Sequence, residues 1–194
     1  MRASLIVWAV SIAAIAYLIA VAGCDKLNTP GKPVAPAPLV VHEPEISKLE
    51  QVKPYFQVDE ARPDNPVVAV FLSNTRATDK ALEHLKGLVD IKSLALNNTE
   101  ITDAGLVHLS GLVSLEHLYL NDTAIGDVGL EHIRGLANIR GLNLRNTEVS
   151  DTGLECLSEM TELELLDLTG TDVTELGVKG LQQLLPKCII KLAK

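Results

Sequence analysis

The chain has 194 residues, enough for one domain with a sizeable core, and carries 17 Lys plus Arg against 25 Asp plus Glu. Only Arg2 is charged within the first 24 residues, so the remainder carries 16 minus 25, or −9, which argues against a nucleic-acid partner, whose phosphates demand a basic face. Aromatic residues make up 3% of the chain, so its core must be built from aliphatic side chains.

At the amino terminus a single Arg precedes an apolar stretch from Ala3 to Gly23, which ends in Val21, Ala22, Gly23 and Cys24 before a polar break at Asp25 and Lys26. This pattern resembles a bacterial lipoprotein signal peptide with its lipobox. The resemblance implies that residues 1–23 are removed and that Cys24 is the lipidation site, diacylated on sulfur and often acylated on nitrogen. Two or more acyl chains anchor stably where one does not. The residues themselves leave a transmembrane helix open, since the 21 residues from Ala3 to Gly23 can span a bilayer of about 30 Å. Either anchor places the rest of the chain in the cell envelope, on the extracytoplasmic side of a membrane.

Residues 24–44 hold Pro30, Pro33, Pro36, Pro38 and Pro44 and are expected to form a stiff spacer, reaching roughly 3.1 Å per residue or about 60 Å in all. Residues 45–66 read as an amino-terminal cap. Ile46, Leu49 and Val52 suggest a short helix from Glu45 to about Lys53. A strand from Tyr55 to Val58 follows, with Tyr55 and Phe56 as plugs over the first repeat.

Residues 67–194 repeat. Leu94, Leu118, Leu142 and Leu166 recur every 24 residues, as do Leu96, Leu120, Leu144 and Leu168, and Thr99, Thr123, Thr147 and Thr171. The register also carries Asp103, Asp127 and Asp151, then Gly105, Gly129, Gly153 and Gly177. The stretch LALNNTEITDAGLVHLSGL resembles the leucine-rich repeat family, specifically a bacterial 24-residue type reading LxxLxLxxTxITDxGLxxLxxL. The resemblance implies an α/β fold, a right-handed solenoid of about five strand–turn–helix repeats with a parallel concave sheet. A degenerate first repeat holds Val70, Leu72, Thr75 and Asp79, with Ala81 in the Gly slot. A sixth, partial strand at Ile190 and Leu192 ends the stack.

Within one repeat, alternation places Leu94 and Leu96 in the core and Ser93, Ala95 and Asn97 on the surface. Thr99 is expected to hydrogen-bond backbone of the neighbouring repeat. Thr102 or Asp103 offers an N-cap oxygen, Leu106, Leu109 and Leu112 form the buried helix face, and Gly87, Gly111 and Gly135 suit left-handed C-terminal caps. The acidic row Asp79, Asp103, Asp127 and Asp151 is read as helix capping favoured by the helix dipole.

No phosphate loop, GxSxG, HExxH or CxxC pattern is present, so no enzyme and no cofactor are expected. His84, His108 and His132 align with Cys156. Neighbouring helices pack about 8 to 10 Å apart while zinc ligands lie about 2 Å from one ion, so a structural ladder is expected rather than a metal site. Cys156, on a helix, and Cys188, two repeats on, are expected to be buried free thiols, since a disulfide needs Cα atoms within about 7 Å.

Binding is the remaining function, and the fold directs attention to three outward rows of the sheet. These are Ala69, Ser93, His117, Gly141 and Leu165; Phe71, Ala95, Tyr119, Asn143 and Asp167; and Ser73, Asn97, Asn121, Arg145 and Thr169. Phe71 and Tyr119 flank the small Ala95 and would wall a shallow notch. Aromatics and Arg dominate interface energetics, so Phe71, His117, Tyr119, Asn143, Arg145 and Asp167 form the candidate patch for a protein or peptide partner. Six strands of about five residues present on the order of 400 Å², half of a standard interface side. The alternative is an envelope structural protein that is passive or self-associates through its sheet edges.

Overall fold

The computed structural model describes residues 55–193; the anchor, Cys24, the spacer and the expected helix Glu45–Lys53 lie outside the described residues. Packing divides the chain after Tyr55, and the unit Phe56–Lys194 holds the repeats. Strands β1 (Tyr55–Val58), β2 (Val67–Phe71), β3 (Ser93–Ala95), β4 (His117–Tyr119), β5 (Gly141–Asn143), β6 (Leu165–Asp167) and β7 (Ile189–Lys191) stand side by side in chain order in one sheet. From β2 to β7 every pairing is parallel, with Val70, Leu94, Leu118, Leu142, Leu166 and Ile190 in one register. Between the strands lie α1 (Asp79–Glu83), α2 (Asp103–Leu106) with a 3-10 turn Val107–Leu109, α3 (Asp127–Ile133), α4 (Leu154–Leu157) and α5 (Glu175–Leu184).

The expected solenoid is present, and its core is the predicted leucine ladder. Leu94, Leu96, Leu118, Leu120, Leu166 and Leu168 are fully buried from the sheet side, and Leu106, Leu109 and Leu130 from the helix side. Each such side chain contributes roughly 1.5–3 kcal/mol, and helices of four or five residues exist only because they dock on their neighbours. β1 lies beside β2, and the Asp59 N–H donates to the Pro66 carbonyl at 2.9 Å to close the connecting turn. Tyr55 is not a plug, being 48% exposed, whereas Phe56 is half-buried. Adjacent strand residues face opposite ways, so one of the two had to turn outward.

Strands β3 to β7 are three residues long rather than five. Strands β2 to β6 each run into a residue in the left-handed conformation, and these form a row that residue identity alone does not reveal: Asn74, Asn98, Asp122, Asn146 and Gly170, at φ 59, 51, 59, 52 and 74°. Asn, Asp and Gly are the residues that tolerate this conformation. The side chains also bond along the row, Asn98 Nδ2 donating to Asn74 Oδ1 at 3.1 Å and Asn146 Nδ2 to Asp122 Oδ1 at 2.7 Å. Ala95 is buried rather than exposed, at 6%, between Phe71 and Tyr119 in register.

The threonine row satisfies its own repeat and not the neighbour. Thr99, Thr123, Thr147 and Thr171 each donate to the carbonyl three residues earlier, at 2.5 to 2.7 Å. The regular pairing ends one residue before that carbonyl, at Ala95 in β3; backbone bonds between repeats continue at the Asn98 N–H, which donates to the Asn121 carbonyl at 2.9 Å, and the hydroxyl satisfies the carbonyl between.

The aspartate row is what joins the repeats. Asp79 Oδ1 accepts the Thr102 N–H at 2.8 Å and Oδ2 accepts the Thr102 hydroxyl at 2.7 Å. Asp103 accepts the Gly126 N–H, Asp127 the Ser150 N–H and hydroxyl, and Asp151 the Thr174 N–H and hydroxyl, each 23 residues ahead. Asp79, Asp103 and Asp127 do begin helices, but the carboxylates staple the next repeat instead of capping their own. Only Thr174, among the described helices, accepts a capping bond from its own helix, from the Gly177 N–H at 3.1 Å.

This staple explains the glycine row. A Cβ at Gly105, Gly129, Gly153 or Gly177 would fall inside contact distance of Oδ1 of Asp79, Asp103, Asp127 or Asp151 respectively. Of the three glycines expected as left-handed caps, only Gly87 has positive φ, at 88°. The segments ending near Gly111 and Gly135 run on into right-handed turns, as Ser110 and Arg134 show.

Candidate functional site

His117 and Tyr119 are two apart on β4 and so share the outer face of the sheet. Their rings stack with centroids 6.5 Å apart and planes inclined by 22°. Gly141, the register partner of His117 on β5, makes room for this arrangement: a Cβ there would lie 2.7 Å from His117 Nδ1. Tyr119 remains 37% exposed, so one ring face and edge are available to a ligand. Asn143 sits beside Tyr119 in register, and Arg145 follows at the exposed end of β5.

The two carboxyl and amide members of the patch are partly engaged already. Asn143 Oδ1 accepts the Arg145 N–H, and Asp167 Oδ1 accepts the Thr169 N–H, both at 3.0 Å. These bonds aim the side chains along the strand and leave Asn143 Nδ2 and Asp167 Oδ2 as the outward polar atoms. Hydrogen bonds from Asn146 and Asn121, and more weakly the Arg145 charge, hold the Asp122 carboxyl below its usual range, so it stays ionised beside Arg145. The structure therefore gathers His117, Tyr119, Asn143 and Arg145 on two adjacent strands. Phe71 lies two strands from Tyr119 across the buried Ala95, and Asp167 one strand beyond Asn143.

A family model described as "Leucine Rich repeat" matches residues 112–133 and 136–158. Over that stretch the chain is built of leucine-rich repeats. No curated protein matches it by sequence. Among solved structures it is similar to a leucine-rich repeat protein of Leptospira interrogans, at 22% identity and a TM-score of 0.45, covering 56% of this chain and 27% of that one. An internalin of Listeria monocytogenes shows 21% identity and a TM-score of 0.46, with 67% and 46% covered. The BIR3–SERK2 complex of Arabidopsis thaliana shows 18% identity and a TM-score of 0.44, with 58% and 61% covered. The chain thus spans about a quarter and under half of the two bacterial proteins.

The histidine row and Cys156 occupy the helix side, and Cys188 stands just before β7. His84, His108 and His132 are half-buried, and His108 Nε2 lies 3.8 Å from Glu83 Oε1. Among the described residues no group of three His, Cys, Asp or Glu side chains is placed to hold a metal. Cys156 and Cys188 are free thiols; Cys188 is buried, Cys156 only half-buried, and burial raises both thiol pKa values. No helix among the described residues is long and apolar enough to cross a membrane.

Three further residues contribute to the sheet face. Gly141 reads as an ordinary small residue, yet its missing side chain leaves the space into which the His117 ring folds. Leu165 and Ile189 pair in register at the far end of the same face, one and two strands beyond Gly141, and are 40% and 65% exposed. Their signal was an aliphatic Leu165 ending the first row and Ile189 continuing its register one strand further.

Proposed function

We propose that this chain is a non-catalytic binding module, tied to a membrane by its amino terminus on the extracytoplasmic side, whose concave sheet face engages a protein or peptide. The observation that carries the reading is the His117–Tyr119 stack laid over Gly141. It is an aromatic platform set across two outward rows, with only small or aliphatic residues beside His117 in its own row and with Arg145 exposed just past the end of the next strand. Tyr and Arg are the residue types that anchor interfaces, and a platform with two χ angles per ring loses little entropy on binding. The lipobox pattern Val21–Ala22–Gly23–Cys24 supports a lipid anchor, and the Pro-rich segment after it supports a spacer holding the module off the bilayer.

Two measurements test the proposal. In affinity capture from envelope extract, a Tyr119→Ala/Arg145→Ala chain should lose the partner that the unaltered chain retains. An unchanged partner set removes the concave face from the proposal and favours a passive envelope protein. Mass spectrometry of the mature chain should show an acylated amino-terminal Cys24. An intact Met1 would replace the lipid anchor with a transmembrane one.

A further inference from the structure

On the rim where the chain enters each strand stands a row the repeat consensus does not specify: Lys92, Glu116, Arg140 and Glu164. Its signs alternate. Lys92 Nζ lies 3.1 Å from Glu116 Oε1, and Arg140 donates to Glu164 Oε1 at 3.1 Å, with the four side chains 60, 34, 50 and 66% exposed. The backbone holds the spacing rigid, since the N–H groups of Glu116, Arg140 and Glu164 each donate at 2.8 Å to the carbonyl of the preceding member. Around the middle of the row runs an open groove of 430 Å³ lined by Lys92, Ser114, Glu116, Asn138, Arg140 and Glu162.

We propose that this rim is a self-association surface, on which a second copy of the chain docks antiparallel about a two-fold axis midway between Glu116 and Arg140. A row reading plus, minus, plus, minus is its own complement when reversed. Lys92 then faces Glu164 of the second copy, Glu116 faces Arg140, and the two remaining pairs repeat these by symmetry, as an isologous contact requires. The flanking rows agree: Ser114 would face Asn138, and Val113, 56% exposed, would face the exposed Ala137. One outer pair sets Asp90 against Glu162, two acids, and Arg62, which hydrogen-bonds Asp90 at 2.5 Å, compensates that charge. Exposed ion pairs contribute little affinity, so the contact is a weak one whose charges mainly choose the register. This surface is separate from the concave face and does not depend on what binds there.

The test uses the full chain, mixed from nitrogen-15-labelled and unlabelled preparations and treated with a carbodiimide, which joins Lys to Glu without a spacer. Lys92–Glu164 peptides of mixed isotope are expected at about 10 mM salt and should fall about tenfold at about 1 M, where the screening length shrinks to roughly 3 Å. Arg140→Glu should abolish them. The fourfold inversion Lys92→Glu, Glu116→Lys, Arg140→Glu, Glu164→Lys keeps both internal pairs and the self-complementarity. It should therefore melt like the unaltered chain and form its own reciprocal 92–164 link, yet give none when mixed with the unaltered chain. Links confined to Lys92–Glu116 within one copy would overturn the proposal. So would a 92–164 link between copies that survives Arg140→Glu, or that forms between the unaltered and inverted chains.

Discussion

Two rows of the same solenoid obey opposite rules. Along Asp79, Asp103, Asp127 and Asp151 the residue never changes, and each carboxylate accepts the N–H 23 residues ahead at 2.8 Å. Along Phe71, Ala95, Tyr119, Asn143 and Asp167 the residue changes at every step although the register is just as strict. Stacking constrains the first row completely and the second hardly at all. Repetition therefore records what holds one repeat on the next, and variation records what the scaffold leaves free for recognition.

The comparison breaks hardest at the core. Leu118→Ala removes a fully buried ladder member and should cost about 3 kcal/mol in urea unfolding, with the cavity adding to the lost transfer energy. A cost near that of an exposed substitution would mean that the sheet ladder does not carry the stack.

Glycine offers a sharper contrast within one residue type. Gly129→Ala drives a Cβ into Asp103 and should cost about 2 kcal/mol, whereas Gly111→Ala, with open space around it, should be neutral or stabilise by up to about 1 kcal/mol. If the staple is the cause, Asp103→Ala and Gly129→Ala must be non-additive, the second costing much less once the first is present.

Acid should loosen the staples. Hydrogen bonds from the Thr174 hydroxyl and N–H hold the Asp151 carboxyl below its ordinary value near 3.8. Its contribution is therefore fully present above that value and is lost as pH falls through the lower folded one. Melting temperature should drop below about pH 4, less steeply in Asp151→Asn, which keeps an acceptor but does not titrate. Equal slopes would detach the staple from acid sensitivity.

The smallest effect on stability is expected on the variable row. Tyr119→Ala removes a side chain that is 37% exposed and should stay within about 0.5 kcal/mol of the unaltered chain. A loss of several kcal/mol would make Tyr119 a scaffold residue after all.

The period made the strands, the buried leucines and the outer rows legible before any coordinates, because alternation and the 24-residue register are properties of the chain itself. What escaped were contacts between repeats. Asp103 reads as a helix cap when only its own helix is considered, since nothing local reveals that Gly126 waits one repeat ahead. Thr99 reads as a partner for the neighbouring repeat's backbone, whereas the Leu96 carbonyl of its own repeat lies closer at hand. Asn74, Asn98, Asp122, Asn146 and Gly170 form a row only if the property compared is tolerance of positive φ rather than residue identity. Of the candidate patch, the membership of each row was readable, whereas the His117–Tyr119 stack depends on ring rotamers and on the room above Gly141.

The most direct measurement compares capture from envelope extract by three folded chains: unaltered, Tyr119→Ala/Arg145→Ala, and a helix-side control, Glu131→Ala. Loss of the partner only in the concave-face variant is expected if recognition lies in the residues that do not repeat. Equal retention by all three, or loss with Glu131→Ala alone, would contradict it and move recognition to another surface.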